Sequence, residues 1–419
     1  MNRCRHCDAP LSLTLIDLGT APPSNAYLTA GQLAEPERWY PLRVLVCEHC
    51  WLVQTEDYAA RETLFSADYA YFSSMSSSWL KHAETYVADM TRRFGLGAGD
   101  FAVEVAANDG YLLQYFKARG IPCLGVEPTT ATANAARAKG LDIAETFFGN
   151  DTAKRLLERY PAASITAANN VLAHVPDIND FVAGFATILK SDGVATFEFP
   201  HLSELMRGLQ FDTIYHEHYS YLSLTTVATI FARNGLSVFD VERLPTHGGS
   251  LRVFAQRGAD GKRKVKSSVE AILRQERAEG VTTAAYYKTL QPAAERIKGG
   301  LLAWLIEAKR AGLTVAAYGA AAKGNTLLNF AGVRSDLVQF VVDRSPGKQG
   351  RFLPGSRIPI VSEDHLRAER PDRVLILPWN LRAELEAQLA YVREWGGQLV
   401  AAVPELTVWS EGGRACAPS

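Results

Sequence analysis

The sequence predicts a three-part α/β protein, a small metal-knitted unit at the front followed by two α/β domains built on parallel sheets. Two C-x-x-C pairs, Cys4/Cys7 and Cys47/Cys50, frame the first 50 residues. Beyond about residue 100, short β-like runs alternate with helical stretches, which is how βαβ units read. After a charged, Ala-rich stretch the same alternation begins again near Thr314. The boundaries expected from these shifts are 1–58, 59–257 and 258–419.

In each cysteine pair a two-residue gap lets both thiolates turn toward one ion, and 39 residues separate the pairs. That pattern suits a closed tetrahedral zinc site held by Cys4, Cys7, Cys47 and Cys50. Four sulfurs leave no open position for water or substrate, so the zinc is expected to build structure. Two disulfides or four unrelated thiols are the competing readings. Only Cys123 and Cys416 lie outside the set, which fits a reducing compartment. The apolar run at residues 42–46 predicts a strand between the pairs, in a unit whose core is too small to fold unaided. Trp79, Ala83, Tyr86, Val87 and Met90 recur at three- and four-residue spacing and predict an amphipathic helix leading into the second domain.

Residues 101–106, 122–126, 164–168 and 193–199 read as strands of that domain. After the first, Glu104, Ala106, Asn108 and Gly110 form a small-residue turn where backbone can approach a ligand. Glu127, 23 residues after Glu104 and followed by Pro128, ends the second strand, where an acid can hold ribose hydroxyls. The G-x-G-x-x-G that seats a pyrophosphate is missing and an acid at Glu104 would repel one, so a cationic adenosine compound, S-adenosylmethionine, fits better than NAD. Asn169 and Asn170, running on to His174, are expected to line the same crevice. An ordinary βα turn with a solvated acid is the bland alternative.

The densest group of titratable side chains is Tyr215, His216, Glu217, His218 and Tyr219, with Asp212 and Tyr221 beside it. Two imidazoles, a carboxylate and several phenols supply what abstraction of a proton next to a carbonyl requires. Extended backbone would place His216 and His218 on one face and Tyr215 and Glu217 on the other; a turn would lift that restriction. A satisfied His–Glu pair or a second metal site would also produce such a cluster. Farther on, Gly319 to Asn325 forms a second nucleotide-type turn that carries Lys323, with Asp343 24 residues after Gly319, and residues 246–252 add a glycine loop with His247. A Gly/Ala turn at a helix start plus a lysine suits a diphosphate. Lys323 as a plain surface lysine is the alternative.

Taken together, the two C-x-x-C pairs, residues 68–74 with Tyr69, the Glu104–Gly110 loop, residues 169–174, Tyr215-His216-Glu217-His218 and residues 319–325 resemble the sugar C-methyltransferases of deoxysugar biosynthesis over essentially the whole chain. That resemblance implies a class I methyltransferase domain of Rossmann-like plan between a zinc unit and a second Rossmann-like domain. It further implies methyl transfer from S-adenosylmethionine to a ring carbon, expected to be C3, of a dTDP-linked 4-keto sugar. It makes His218 the base and Tyr215, Glu217, Tyr69 and His174 its neighbours in the site. On this basis Glu217 is expected to orient the imidazole, a His174 N–H to face the developing oxyanion, and His247, Lys323, Asn325 and Asp343 to meet the sugar nucleotide. Met75 and Ala106-Ala107 depart from the family pattern, which bears on sugar specificity.

Composition narrows the rest. Lys plus Arg is 44 against Asp plus Glu 45, a net charge of -1 with no long block of one sign, so nucleic acid is not an expected partner. No apolar signal core opens the chain, and no run approaches the roughly 18 apolar residues of a spanning helix. A soluble, cytoplasmic protein is expected. An O- or N-methyltransferase, a nicotinamide-dependent reductase and a non-catalytic nucleotide-sugar binder are the competing functions.

Overall fold

The computed structural model describes residues 2–58 and 72–409, together with the backbone of 415–416. At the front, β1 (Leu13–Ala21), β2 (Tyr40–Val46) and β3 (Val53–Thr55) pair antiparallel. Two matching knuckles brace them. Asp8 and Trp51, each just after the second cysteine of its pair, take left-handed backbone (φ 61° and 62°) and return an N–H to the carbonyl of the first cysteine at 2.9 and 2.7 Å.

The middle sheet contains β4 (Ala102–Val105), β5 (Cys123–Val126), β6 (Asp142–Ala144), β7 (Ala163–Asn169) and β8 (Leu189–Pro200), all parallel. The chain then leaves it. At β9 (Ser220–Tyr221) it adds a strand to the front sheet beside β3, with Val53 opposite Tyr221 and Gln54 opposite Ser220. It returns as the hairpin β10 (Leu236–Leu244) and β11 (Ser250–Arg257), and β11 pairs antiparallel with β8. The full order is β10-β11-β8-β7-β4-β5-β6, whose parallel part is the doubly wound 3-2-1-4-5 arrangement with its crevice at the carboxyl ends of β4 and β7. The predicted helix spans Ser77–Phe94 and buries Ala83, Tyr86, Val87 and Met90, as the spacing required.

Helices Ser267–Glu279 and Leu290–Arg310 lead to a third sheet of β12 (Val315–Tyr318), β13 (Val341–Val342), β14 (Ile360–Val361), β15 (Arg373–Ile376), β16 (Gln398–Ala401), β17 (Thr407–Trp409) and β18 (Ala415–Cys416). Its order, β14-β13-β12-β15-β16-β17-β18, repeats the 3-2-1-4-5 plan. The Leu290–Arg310 helix buries Leu290, Ala294, Ile297, Leu301 and Leu305 on one face, in a core that includes Val44, Val46 and Val53 of the front sheet and Leu327 and Leu328 of the third unit. Cys4, Cys47 and Cys50 instead pack with Phe197, Phe199 and Leu224 of the middle unit. The front unit is thereby wedged between the other two.

One buried hydrogen-bond cluster ties the linker helix to the middle unit. Glu276, fully buried, meets His201 Nε2 at 2.7 Å and accepts the N–H groups of Leu224 and Thr225 at 2.7 and 2.8 Å, at the start of helix Leu224–Arg233. Removing it strands a buried histidine and two amide donors. Glu276→Ala should cost about 3–5 kcal/mol, read as a lower denaturant midpoint; a midpoint equal to wild type would contradict the role.

Candidate active site

A cavity of about 470 Å³ opens at the carboxyl ends of β4, β5 and β7 and is walled by all three units. The middle unit contributes Ala106, Asn108, Glu127, Pro128, Asn169, Asn170, His174 and His247, the reactive segment contributes Tyr215, Glu217, His218 and Tyr221, the front unit contributes Asn25, and the third unit Lys323 and Lys348.

The turn after β4 is set by backbone conformation. Ala106, Asn108 and Gly110 all take positive φ (60°, 50° and 75°), alternating with ordinary residues, which folds the loop back over the strand end. At Gly110 a β-carbon would sit 2.2 Å from Leu141 Cδ1, so this position needs glycine for space as well as conformation. Glu127 closes the loop from the next strand, its carboxylate accepting the N–H groups of Asn108 (2.9 Å) and Thr129 (3.0 Å) and the Thr132 hydroxyl (3.0 Å). Neither Glu104 nor Gly110 reaches the cavity wall. Glu104 is buried beneath the loop, and burial, with Glu127 and Asp109 adding repulsion, pushes its carboxyl well above the usual range. The expectation that it binds the cofactor is corrected: in the fold both of its carboxylate oxygens are buried outside the cavity wall. Both polar atoms of the Asn169 side chain are buried in the cavity wall without a hydrogen-bond partner among the described residues, so they fit a ligand with polar groups of its own.

At the reactive segment the chain turns, His218 donating its N–H to Tyr215 O at 3.0 Å, so His216 and His218 part company. His216 points to the front unit and meets Pro41 O at 3.2 Å. His218 Nδ1 lies 2.9 Å from Thr213 O. A carbonyl only accepts, so Nδ1 carries the hydrogen and Nε2 of the neutral ring is a lone pair. The half-buried ring packs against Tyr215 (centroids 3.9 Å) and His174 (4.6 Å), and desolvation there, followed by the nearby His174, holds its pKa well below the ordinary value. The orienting group is thus the Thr213 carbonyl and not Glu217. His174 also spends its hydrogen on a carbonyl, with Nδ1 2.9 Å from Glu217 O, and burial lowers its pKa to about 4, so the expected N–H toward an oxyanion is replaced by a neutral ring. His247 is exposed where it lines the cavity, and its Nε2 accepts from Asn170 Nδ2 at 3.2 Å. Tyr69 lies outside the described residues.

From the third unit, Lys323 Nζ donates to Asn380 Oδ1 at 2.6 Å and sits 4.8 Å over Trp379, whose Nε1 donates to Asp212 Oδ2 at 2.7 Å. Lys323 therefore faces the cavity half-buried, not as a surface lysine. Asn325 and Asp343 do not line the cavity. Asn325 donates to Ser24 O at 2.6 Å and fastens the front unit to the third. Asp343 accepts the N–H groups of Ala320 and Ser345, both at 2.9 Å, repeating in the third sheet the bonding of Glu127 in the second. Sequence reading also missed Asn25, and it took Trp79 for helix core alone. Trp79 stacks on His82 at 4.7 Å and lines the cavity from the exposed start of its helix.

The four cysteine sulfurs lie within 4.8 Å of one another, with Cys4–Cys50 and Cys7–Cys47 at 3.5 Å. Zn–S bonds of about 2.3 Å place tetrahedral sulfurs about 3.8 Å apart, so the set fits that ion.

Three family models cover most of the chain: a zinc binding domain at residues 4–65, a methyltransferase domain at 79–241 and a C-methyltransferase C-terminal domain at 245–404. The chain belongs to the C-methyltransferase family, and its middle unit has the class I S-adenosylmethionine-dependent methyltransferase fold. It is 33% identical over 410 residues to the C-methyltransferase NovU of Streptomyces niveus, covering 98% of this chain and 97% of that one. Among solved structures, a Burkholderia thailandensis 1,6-didemethyltoxoflavin-N1-methyltransferase overlaps 49% of this chain and 95% of its own at 16% identity and TM-score 0.37. The magnesium protoporphyrin IX methyltransferase of Synechocystis PCC 6803 overlaps 43% and 79% at 14% identity and TM-score 0.33. No helix among the described residues is long and apolar enough to cross a membrane.

A solvated imidazole is mostly protonated at pH 6, being below its ordinary pKa of about 6.5. Because folding lowers their pKa values, His174 and His218 should stay neutral there. Side-chain ¹⁵N spectra at pH 6 should show these two rings uncharged, with His218 protonated at Nδ1. An imidazolium pattern at His218 would overturn the tautomer assignment.

Proposed function

We propose that this enzyme methylates a ring carbon, C3, next to the ketone of a dTDP-linked 4-keto deoxysugar. The carrying observation is His218: a neutral, half-buried imidazole whose Nδ1 hydrogen is committed to Thr213 O, leaving Nε2 as a base in the cavity that also holds the turn after β4. O- or N-methylation has little need of a base placed to attack a carbon acid. S-adenosylmethionine supplies the electrophilic methyl group when bound. Asn108, Pro128, Asn169 and Asn170 would hold it, with Glu127 keeping the turn shaped. His218 Nε2 takes the proton from the carbon beside the ketone, charge passes to the ketone oxygen, and the carbon then takes the methyl. Tyr215 against the imidazole limits its movement, and the enclosed cavity strengthens any donor that faces the oxygen.

The nucleotide end is assigned to the third unit. In support, its first turn is closed by Asp343 in the way Glu127 closes the turn after β4, and Lys323 and Lys348 bring positive charge to the cavity. The four cysteines are assigned to one structural zinc.

In heavy water the 4-keto substrate should exchange its adjacent hydrogen only with His218 intact, and His218→Asn should slow methylation by roughly 100-fold or more while cofactor binding survives. Near wild-type methylation by that variant would refute the assignment. Metal analysis should find one zinc per chain in protein purified without chelator; a value near zero would remove the metal from the account.

A further inference from the structure

Glu217 lines the cavity beside the base yet does not orient it, so its own role is open. One carboxylate oxygen is accounted for: Oε1 accepts from Asn25 Nδ2 at 3.1 Å, across 192 residues of sequence. The other, Oε2, is buried and has no hydrogen-bond partner among the described residues. An ionised carboxylate in that place would leave a buried charge without a cation, which is costly; a protonated one would have a hydroxyl to offer. Resting on the proposed reaction, we propose that Asn25 is a positioning residue that fixes Glu217 as a neutral acid, with Oε1 the acceptor and the Oε2 hydroxyl presented to the substrate's ketone oxygen.

Chemistry and surroundings agree. Burial raises the Glu217 carboxyl above its ordinary value, with the Asn25 side chain and backbone opposing that rise. The titratable groups sharing its cavity are Tyr215, His218 and Tyr221 on its own segment, Tyr111, Glu127, His174, Asp177, Asp180 and His247 from the middle unit, and Lys323 and Lys348 from the third. During proton removal by His218 the ketone oxygen gains charge, and an O–H already aimed there stabilises it without transferring its proton. The amide of Asn25 matters because it only donates from Nδ2: that makes Oε1 the carbonyl oxygen and leaves the proton on Oε2.

Two measurements test this. Infrared difference spectra of the zinc-replete protein against Glu217→Gln, with no substrate, should show the C=O stretch of a protonated carboxyl at neutral pH. Asn25→Ala should move that band to higher frequency, since the carbonyl loses its donor. In turnover, Asn25→Asp presents an acceptor to Glu217, draws its proton to Oε1 and turns the wrong oxygen to the cavity, so kcat should fall by roughly 100-fold. Glu217→Gln, which keeps a donor facing the cavity, should keep more activity than Asn25→Asp and lose the alkaline limb of the pH profile. Calorimetric binding of S-adenosylmethionine and the zinc content should match wild type in each variant. No carboxyl band, or a band that Asn25→Ala leaves unmoved, overturns the proposal even if wild type proves inactive on every 4-keto sugar nucleotide tried. An active wild type with an unimpaired Asn25→Asp also overturns it and leaves the assigned reaction standing.

Discussion

The site depends on a two-residue strand pairing. Val53 and Gln54 of β3 pair with Tyr221 and Ser220 of β9, and Thr55 continues the contact, its N–H donating to Tyr219 O at 3.2 Å and its hydroxyl to His218 O at 3.0 Å. The backbone of His218 is thus carried by the front sheet, although His218 belongs to a segment inserted in the middle unit. Each of these hydrogen bonds contributes only about 1 kcal/mol, so their value is geometric. They set where the turn at residues 215–218 can sit, and Thr213 O then sets how the His218 ring faces.

That dependence gives the front unit a second purpose. Its apolar residues enter two cores, Val44, Val46 and Val53 with the third unit and the cysteines with the middle one. The same unit supplies Asn25 to Glu217, and Ser24 O accepts from Asn325. A knuckle framed by four clustered cysteines is well suited to this position, because so short a sheet has little core of its own to resist deformation. Around it, two doubly wound sheets of the same strand order each close their first turn with an acid, Glu127 in one and Asp343 in the other.

Much of this was legible in the sequence because local chemistry dictates it. The cysteine spacing defines a closed site, three- and four-residue spacing defines the helix at Ser77–Phe94, and the apolar runs mark β2, β4, β5, β7, β8 and β12. What could not be read depends on distant partners. Whether His218 is held by Glu217 or by Thr213 follows from a turn, and alternation along a strand could not anticipate it. Asn25 carries no local signal; its importance comes from a residue 192 positions away. Asn325 in the Gly/Ala turn and Asp343 after the next strand look like ligand contacts, but in the fold Asn325 Nδ2 is used by Ser24 and the Asp343 carboxylate by Ala320 and Ser345. β9 is two residues long, below what a periodic pattern can reveal.

Hydrogen exchange tests the central claim most directly. Cys47→Ser should loosen the front sheet, and if that sheet carries the base, amides at residues 213–221 should exchange at least ten times faster along with those of 43–55, while the turn at residues 104–110 keeps its protection. Faster exchange confined to the front unit, with residues 213–221 unchanged, would show that the reactive segment holds its shape without the β3–β9 pairing.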